Sequence, residues 1–359
     1  MTDLEKLCSR VTETAGCAVI TDDVNRRYFT AMKSSAGTLV VFPEKAYFII
    51  DFRYIEKAKK TVTACEVILQ DKLYEQINSL IEKHGAKTVS VNADTCTLSE
   101  LIAYQQKLNA EVIADTKLAE IIREIRTVKS QEQIDKIIKA QRIAEKGFAH
   151  MLDFIKVGRT EKEIQLELDY YMLKNGAEAL SFDTIALSGS NTSLPHGVPS
   201  DKKVESGEFV LMDFGATYEG WHSDMTRTVC VGKPSDKMKS VYETVLTAQL
   251  AALDAVKAGM SGKALDKIAR DIITEAGYGE NFGHSLGHGV GVEIHESPYA
   301  SPSREDILPE NSIVTVEPGI YLECKFGVRI EDFVVVTENG CINMTKAPKE
   351  LILSLIHIS

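Results

Sequence analysis

The sequence predicts two domains, an α/β domain at the N-terminus followed by an α+β domain. The chain has 359 residues, a length that suits two domains at roughly 100 to 200 residues each. Before Asp115, short apolar runs alternate with helical patterns, as strands and helices alternate in an α/β domain. After it come long charged helical segments and then β-rich stretches, which are typical of an α+β arrangement.

Six short apolar runs predict the strands of the first domain. They are Cys17 to Ile20, Gly37 to Phe42, Ala46 to Ile50, Glu66 to Leu69, Thr88 to Val91 and Glu111 to Ala114. Apolar residues recur at helical spacing over Tyr74 to His84 and over Leu98 to Leu108, which predicts helices there. We therefore expect a self-contained α/β domain over residues 1–122.

A long helical pattern, Leu118 to Phe154, leads into the second domain. Its middle is polar, and Ser130 followed by Gln133 is typical of a capping box at a helix start. We expect the domain boundary near residues 120–128 and a second domain over residues 123–350. Its helices are predicted at about 131–157, 160–175, 236–257 and 262–276. The apolar tail, residues 351–359, is interpreted as a remnant of an expression vector or of read-through, and its His357 is given no role.

Composition and charge argue against several classes of protein. Hydrophobic residues make up 44% and charged residues 26%, an ordinary balance for a globular protein. The 41 Lys and Arg against 52 Asp and Glu give a net charge of −11, so we expect no nucleic-acid partner. The seven scattered cysteines form no CxxC pair, which argues against a disulfide framework or a thiolate metal site. Because no signal peptide and no long apolar run is present, we expect a cytoplasmic protein without a membrane partner.

Two aspartates lie on the arms of a predicted hairpin. The β-type runs Phe209 to Gly215 and Trp221 to Val229 flank a turn sequence, Tyr218-Glu219-Gly220. If the turn is centred between the first two of these residues, Asp213 and Asp224 are direct cross-strand partners. Like charges so placed destabilise a sheet unless a cation lies between them. Taken alone, the hairpin favours a plainer interpretation, two solvated aspartates beside a turn.

Further candidates follow downstream. The Gly-rich stretch His284 to Glu296 contains three of the chain's eight histidines, a density that favours function over ordinary core packing. Glu317 ends an apolar strand and precedes a proline, which holds it extended. Period-two alternation places Arg329 and Glu331 on one face of another strand. Carboxylates embedded in such strands need cationic partners.

Together these residues offer five potential metal ligands, one imidazole and four carboxylates. Such a set suits a pair of divalent ions bridged by carboxylates. A pair of this kind lowers the pKa of a shared water molecule and polarises an attacked carbonyl, so the pattern indicates metal-assisted hydrolysis. The five residues are Asp213, Asp224, His288, Glu317 and Glu331.

These motifs resemble the pita-bread metallopeptidases, the family of Xaa-Pro aminopeptidase, prolidase, methionine aminopeptidase and creatinase. The stretch His284 to Glu296 is similar to the proline-peptidase signature of that family, and the resemblance extends over residues 125–350. It is weaker in the first domain, where Asp51-Phe-Arg53-Tyr54 is similar to a D-x-R-Y motif. The resemblance implies a creatinase-type N-terminal α/β domain and a pita-bread α+β catalytic domain.

The resemblance also implies roles for the five ligands. Asp213 would bind one metal ion, while His288 and Glu317 would bind the other. Asp224 and Glu331 would bridge both ions. Glu317 would in addition carry a proton from the metal-bound water to the leaving nitrogen.

Four further residues gain roles in the same way. His284 and His295 would donate hydrogen bonds to the oxyanion or to the peptide carbonyl. His196 would lie near the scissile bond; without the other motifs it is a loop histidine. Arg329 would lie near the carboxyl side of the substrate, where a guanidinium suits a carboxylate. The alternative for this arginine is a buried ion pair with Asp332 or Glu331.

The function implied is that of an Xaa-Pro aminopeptidase acting on small peptides with proline second. Two divalent ions are expected, with Mn preferred and Co, Zn or Fe tolerated, and the protein is expected to form a homodimer. Xaa-Pro dipeptidase activity is the open alternative, because both activities share these motifs. The five intact ligands argue against a non-catalytic binding protein and against metal-free creatinase. Methionine aminopeptidase is disfavoured because that branch usually lacks the front domain.

Overall fold

The computed structural model describes residues 1–354, and the side chains of residues 1–352, so the predicted features of His357 lie outside the described residues. The chain folds into two compact units, the first comprising residues 1–126 and the second beginning at Thr127. Within residues 1–354, no helix combines the length and the apolar character needed to cross a bilayer.

The first unit contains a six-stranded mixed sheet with helices on both faces. Strand order is β4-β3-β2-β1-β5-β6, with β1–β2 and β2–β3 antiparallel and the other pairs parallel. The elements are α1 (Asp3–Arg10), β1 (Cys17–Ile20), α2 (Asp23–Thr30), β2 (Thr38–Val41), β3 (Ala46–Ile50), α3 (Ile55–Thr61), β4 (Glu66–Leu69), α4 (Leu73–His84), β5 (Thr88–Val91), α5 (Leu98–Lys107), β6 (Glu111–Ile113) and α6 (Lys117–Thr127).

Alternation along the central strand explains why both faces are covered. In β1, Ala18 and Ile20 face a core shared with α1, α2, α3 and α6. Their neighbours Cys17 and Val19 face a second core shared with α4 and α5. A sheet apolar on both sides must be packed on both sides, so the predicted α/β domain is confirmed.

The second unit is an α+β structure in which two helix pairs each pack on a group of strands. Helices α7 and α8 share a core with β8, β9, β10 and β12, while α9 and α10 share a core with β15, β16, β17 and β18. The elements are α7 (Gln131–Phe154), α8 (Glu161–Lys174), β7 (Ala179–Leu180), β8 (Ile185–Ser188), β9 (Glu208–Phe214), β10 (Ala216–Tyr218), β11 (Trp221–His222), β12 (Met225–Val231), α9 (Asp236–Ala255), α10 (Gly262–Glu275), β13 (Gly287–Gly289), β14 (Glu296–Ala300), β15 (Ile313–Val316), β16 (Gly319–Leu322), β17 (Phe326–Arg329), β18 (Asp332–Thr337), β19 (Gly340–Asn343) and β20 (Leu353–Ser354).

Helix α7 begins where the sequence predicted. The side chain of Ser130 accepts a hydrogen bond from the backbone N–H of Gln133 at 3.3 Å, and the Gln133 side chain accepts one from the backbone N–H of Ser130 at 2.9 Å. This reciprocal pair is the predicted capping box. At the other end of the second unit, β20 pairs in parallel with β12. The proposed origin of the tail stays a prediction.

The hairpin that carries the two aspartates has a different turn from the predicted one. Tyr218 pairs with Trp221, so the two turn residues are Glu219 and Gly220. Their φ angles are 49° and 85°. Two successive positive φ values are typical of a type I′ turn, which matches the twist of the flanking strands.

This turn places Asp213 opposite Thr226, so the prediction that Asp213 and Asp224 are direct cross-strand partners was wrong. Thr226 and Asp224 are two residues apart and therefore share one face of the strand. The two aspartates are diagonal neighbours on that face, still close enough for their charges to interact.

Candidate active site

A cavity of about 480 Å³ in the second unit is lined by every side chain that the sequence predicted for the site. Strand ends and strand junctions supply the five potential ligands. Asp213 lies in β9 and Asp224 directly precedes β12, while His288 lies in β13. Glu317 follows β15, and Glu331 separates β17 from β18. The four other predicted residues on the wall are His196, His284, His295 and Arg329.

Three of the five potential ligands are close enough to hold one ion. The ligand atoms of Asp224, His288 and Glu331 all lie within 4.8 Å of one another. The Nε2 atom of His288 is 3.6 Å from Asp224 Oδ2 and 3.3 Å from Glu317 Oε1. Four of the five predicted ligands therefore surround one point in the cavity.

Hydroxyl and carbonyl groups orient these ligands. His288 Nδ1 lies 3.0 Å from the carbonyl oxygen of Gly289, which only accepts, so Nδ1 carries the proton and Nε2 faces the carboxylates. Thr315 Oγ1 donates to Glu317 Oε1 at 2.9 Å and accepts the backbone N–H of His288 at 3.0 Å. Thr226 Oγ1 donates to Glu331 Oε2 at 2.7 Å.

The two threonines were missed in the sequence. Each stands two residues from a ligand on the same strand face, Thr226 after Asp224 and Thr315 before Glu317. Period-two alternation around each predicted ligand is the signal that could have identified them.

Three carboxylate oxygens in the cavity have no hydrogen-bond partner among the described residues. They are Asp213 Oδ1, Asp224 Oδ1 and Glu331 Oε1, and all three are buried. A buried acceptor left without a partner costs about 1 to 3 kcal/mol, and more when it is charged. Divalent cations bind such oxygens, so the side chains present fit a metal site.

The pKa values describe a cluster that is short of positive charge. Burial, followed by the charge of Asp213, raises the pKa of Asp224 well above its usual value. Burial, followed by the charge of Asp224, likewise raises the pKa of Glu331.

The charges of His288 and Glu317 compensate each other. Burial lowers the pKa of His288, but the hydrogen bond and charge of Glu317 outweigh it and bring this pKa to about 9. Burial raises the pKa of Glu317, but the hydrogen bond from His288 outweighs it and brings this pKa to about 2. Metal ions would displace the proton that His288 holds.

Arg329 is bound to the protein through each nitrogen of its guanidinium. Its Nη2 donates to Asp213 Oδ2 at 2.5 Å, its Nη1 to the Tyr321 hydroxyl at 2.7 Å and its Nε to Thr226 Oγ1 at 3.0 Å. The side chain is only 3% exposed. Arg329 therefore positions Asp213, one of the predicted ligands.

The alternative partners predicted for Arg329 were wrong. Asp332 forms its ion pairs with Arg227, at 2.7 Å, and with Lys349. The carboxylate of Glu331 accepts its hydrogen bond from Thr226. Sequence alternation placed these side chains on the correct strands, but the pairs that they form connect distant parts of the chain.

Two of the four histidines that line the cavity, His284 and His295, differ in their contacts. His284 Nδ1 donates to the carbonyl oxygen of Ser285 at 2.8 Å, and its Nε2 lies 2.9 Å from the Tyr321 hydroxyl. Both ring nitrogens are thus engaged. His295 packs edge-on against His288, with ring centroids 4.3 Å apart. Burial lowers the pKa of both His284 and His295, which favours their neutral forms.

The fold and the site are those of a two-domain metallohydrolase. Residues 135–338 match Metallopeptidase family M24 and residues 10–128 match the Creatinase/Prolidase N-terminal domain, and the chain belongs to this metallopeptidase family. The resemblance and the two-domain fold class inferred from the sequence are confirmed.

Named relatives cover nearly the whole chain. The chain is 39% identical over 352 residues to the Xaa-Pro dipeptidase of Pyrococcus furiosus, which covers 97% of this chain and 99% of that protein. It is similar in structure to the Xaa-Pro dipeptidase from Bacillus anthracis, with a TM-score of 0.94, 41% identity and coverage of 98% and 99%. It is also similar to the X-Pro aminopeptidase from Thermotoga maritima MSB8, with a TM-score of 0.89, 39% identity and coverage of 98% and 100%.

Proposed function

We propose that this enzyme removes an N-terminal residue that precedes proline, acting as an Xaa-Pro aminopeptidase with two divalent ions. The observation that carries the proposal is the convergence of the five side chains on one cavity. Three of them have a buried carboxylate oxygen without a hydrogen-bond partner in the described part of the chain. Relatives that cover almost the whole chain are named for Xaa-Pro substrates, which supports the same conclusion.

In this proposal the five side chains hold the ions in the roles that the family resemblance implies. Asp213 would hold one ion, His288 and Glu317 would hold the other, and Asp224 and Glu331 would be shared by both. When bound, the ions lower the pKa of a water molecule and polarise the scissile carbonyl. We propose Mn as the native metal, with Co, Zn and Fe as the alternatives that this ligand set also accepts.

Glu317 moves the proton. In the metal-free protein the hydrogen bond from His288 keeps the Glu317 carboxylate ionised. Once an ion has displaced the His288 proton, this carboxylate is released from that contact and can accept a proton from the attacking water. The carboxyl group then donates that proton to the leaving nitrogen. Every peptide nitrogen must be protonated to leave as an amine, and with proline that nitrogen is a tertiary amide in the substrate and leaves as a secondary amine.

Other residues on the wall orient the substrate. His196 and His295 line the cavity, and we assign to them the hydrogen bonds to the peptide carbonyl or to the oxyanion. His284, whose nitrogens are both engaged, supports Tyr321 and through it Arg329. The apolar wall that meets the proline ring or the N-terminal side chain consists of Phe182, Ile185, Ile294 and Tyr299.

The state of Arg329 supports aminopeptidase activity over strict dipeptidase activity. A dipeptide places its free carboxylate beside the scissile bond. An arginine without other hydrogen-bond partners is well suited to bind that carboxylate. Here the guanidinium is already hydrogen-bonded to Asp213, Tyr321 and Thr226. We therefore propose that longer peptides are substrates as well. Homodimer formation and a cytoplasmic location are also proposed, on the family resemblance and on the sequence respectively.

A kinetic comparison tests the proposal. Metal-stripped enzyme refilled with each ion is assayed on Ala-Pro, Ala-Ala and Ala-Pro-Ala. We expect kcat/KM for Ala-Ala to be lower than for Ala-Pro by about 30- to 1,000-fold. Alanine loses the contact between the proline ring and the pocket, and the scissile bond is then misoriented at the metal site. Ala-Pro-Ala should be cleaved at a rate comparable to Ala-Pro. Equal rates on Ala-Pro and Ala-Ala would contradict proline specificity, and no cleavage of Ala-Pro-Ala would favour the dipeptidase.

A further inference from the structure

We propose that Glu161 is a positioning residue that sets the place of His196 in the cavity by holding both ends of the loop at residues 188–200. The inference rests on the proposed function, in which His196 contacts the substrate. Glu161 is outside the cavity wall and is the first residue of α8. Its side chain is nevertheless completely buried, with a relative exposure of 0%.

The Glu161 carboxylate receives hydrogen bonds from the two ends of this loop. At the first end, Oε1 accepts the backbone N–H of Ser188 at 2.7 Å, its hydroxyl at 3.1 Å and the Asn191 side-chain amide at 3.0 Å. At the other end, Oε2 accepts the backbone N–H of Ser200 at 3.0 Å and its hydroxyl at 2.6 Å. One carboxylate therefore closes the loop at its base.

Two further hydrogen bonds hold the middle of the loop. Thr192 Oγ1 accepts the backbone N–H of Gly327 at 2.8 Å. The carbonyl oxygen of Pro195 lies 3.4 Å from Arg329 Nη1. The next residue is His196, which lines the cavity. The loop thus runs from the buried carboxylate at its base to the cavity wall, so the place of the histidine depends on the base together with these two contacts.

The chemistry of these contacts requires an acceptor at both side-chain oxygens of Glu161. Every group that faces Glu161 donates, and the two backbone N–H groups cannot be turned around. An amide at this position would have to point its own NH₂ group at one end of the loop. Among the side chains of residues 1–352, no lysine, arginine or histidine forms an ion pair with Glu161. Lys202 reaches it only through the Ser188 hydroxyl, which lies 3.1 Å from Lys202 Nζ, and pairs directly with Glu208. Five donors and the start of α8 therefore stabilise the carboxylate. The donors offset the cost of burying the carboxylate, and all of them belong to the loop at residues 188–200, so the effect of Glu161 falls on the position of that loop.

The first test replaces Glu161 by glutamine, with Glu163→Gln as the matched control. Glu163 is in the same turn of α8 and caps the helix, but its side chain is 47% exposed and does not contact the loop. We expect Glu161→Gln to lower kcat/KM on Ala-Pro by about 10- to 100-fold. A loss of this size is typical when a group that contacts the substrate is slightly misplaced. Its metal content should equal that of the wild type. Unchanged kcat/KM, or a loss equal to that of Glu163→Gln, would overturn the proposal.

A double-mutant cycle separates positioning from general destabilisation. In a His196→Ala background, Glu161→Gln should lower kcat/KM by less than about twofold, because the residue through which it acts is already gone. The full loss repeated in that background would overturn the proposal. If Glu161→Gln does not fold, Ser200→Ala removes the 2.6 Å contact alone and enters the same cycle.

A readout independent of activity distinguishes this proposal from the proposed function. Amide hydrogen exchange over residues 189–197 should be faster in Glu161→Gln than in Glu163→Gln and in the wild type. Unchanged exchange there would overturn the positioning role even in a fully active enzyme. A wild type that hydrolyses neither Ala-Pro nor Ala-Pro-Ala would overturn the proposed function, and the exchange result would still report on the loop.

Discussion

Replacing Glu331 by glutamine is expected to stabilise the metal-free protein and to weaken its binding of metal. Glu331 is 1% exposed, and Asp224 beside it is 4% exposed. Without an ion, these two carboxylates share a buried site in which neither is fully compensated. Glutamine keeps the shape, can still accept the hydrogen bond from Thr226 and can donate to Asp224, but it removes one negative charge.

The geometry sets the size of this effect. The ligand atoms of Asp224 and Glu331 lie within 4.8 Å of each other, where two like charges at an effective dielectric constant of about 20 repel by roughly 3 kcal/mol. The charge on His288 and partial protonation reduce that repulsion. We therefore expect the metal-free Glu331→Gln variant to gain about 1 to 2 kcal/mol in the free energy of unfolding at pH 7.

The pH dependence has a definite sign. The pKa of Glu331 is raised in the folded protein, so near neutral pH the folded state binds more protons than the unfolded chain. The free energy of unfolding of the metal-free wild type should therefore fall as pH rises above about 4, where the unfolded carboxyl loses its proton. The Glu331→Gln variant should lose less stability over the same range.

The assay is urea unfolding between pH 4 and pH 8, with a chelator and with saturating Mn²⁺. The wild type should gain more from Mn²⁺ than the variant does, because the ion binds only the folded site. Asp332→Asn is the matched control, since this adjacent buried carboxylate is paired with Arg227 and Lys349 and its pKa is lowered. It should be destabilised with and without metal. A metal-free Glu331→Gln variant destabilised as much as this control would refute the reasoning.

Three further predictions follow from the site. Glu317→Gln should lower kcat on Ala-Pro by about 10²- to 10⁴-fold while the metal-loaded variant stays folded at the assay temperature, and a kcat close to that of the wild type would assign the proton to another group. Arg329→Lys should lower kcat/KM on Ala-Pro and on Ala-Pro-Ala by the same factor, because the arginine holds Asp213; a loss confined to the dipeptide would show that it binds the substrate carboxylate. Light scattering should give twice the mass of one chain, and a fully active protein with the mass of one chain would contradict the homodimer.

Local signals explain what could be predicted from the sequence. The strands of the first unit and the start of α7 at Ser130 agree with prediction because alternation and capping depend on neighbours in the chain. The hairpin turn was misplaced because its register depends on Glu219 adopting a positive φ, which residue type alone rarely indicates.

The supporting contacts of the site could not be predicted in the same way. Arg329 and Asp213 are 116 residues apart, and nothing local connects them. Glu161 has the sequence context of an exposed capping turn, and only tertiary packing places its carboxylate in the interior. Ligands of a metal site can be inferred from residue types, whereas the residues that hold those ligands in place depend on long-range contacts.

The most direct test of the central claim is anomalous scattering from crystals of the protein grown with Mn²⁺. The account predicts two peaks inside the cavity, both of them bounded by Asp224 and Glu331. Asp213 should contact one peak only, and His288 and Glu317 the other. A catalytically active, Mn-replete crystal with no peak beside these side chains would contradict it, and a single peak would contradict the two-ion mechanism.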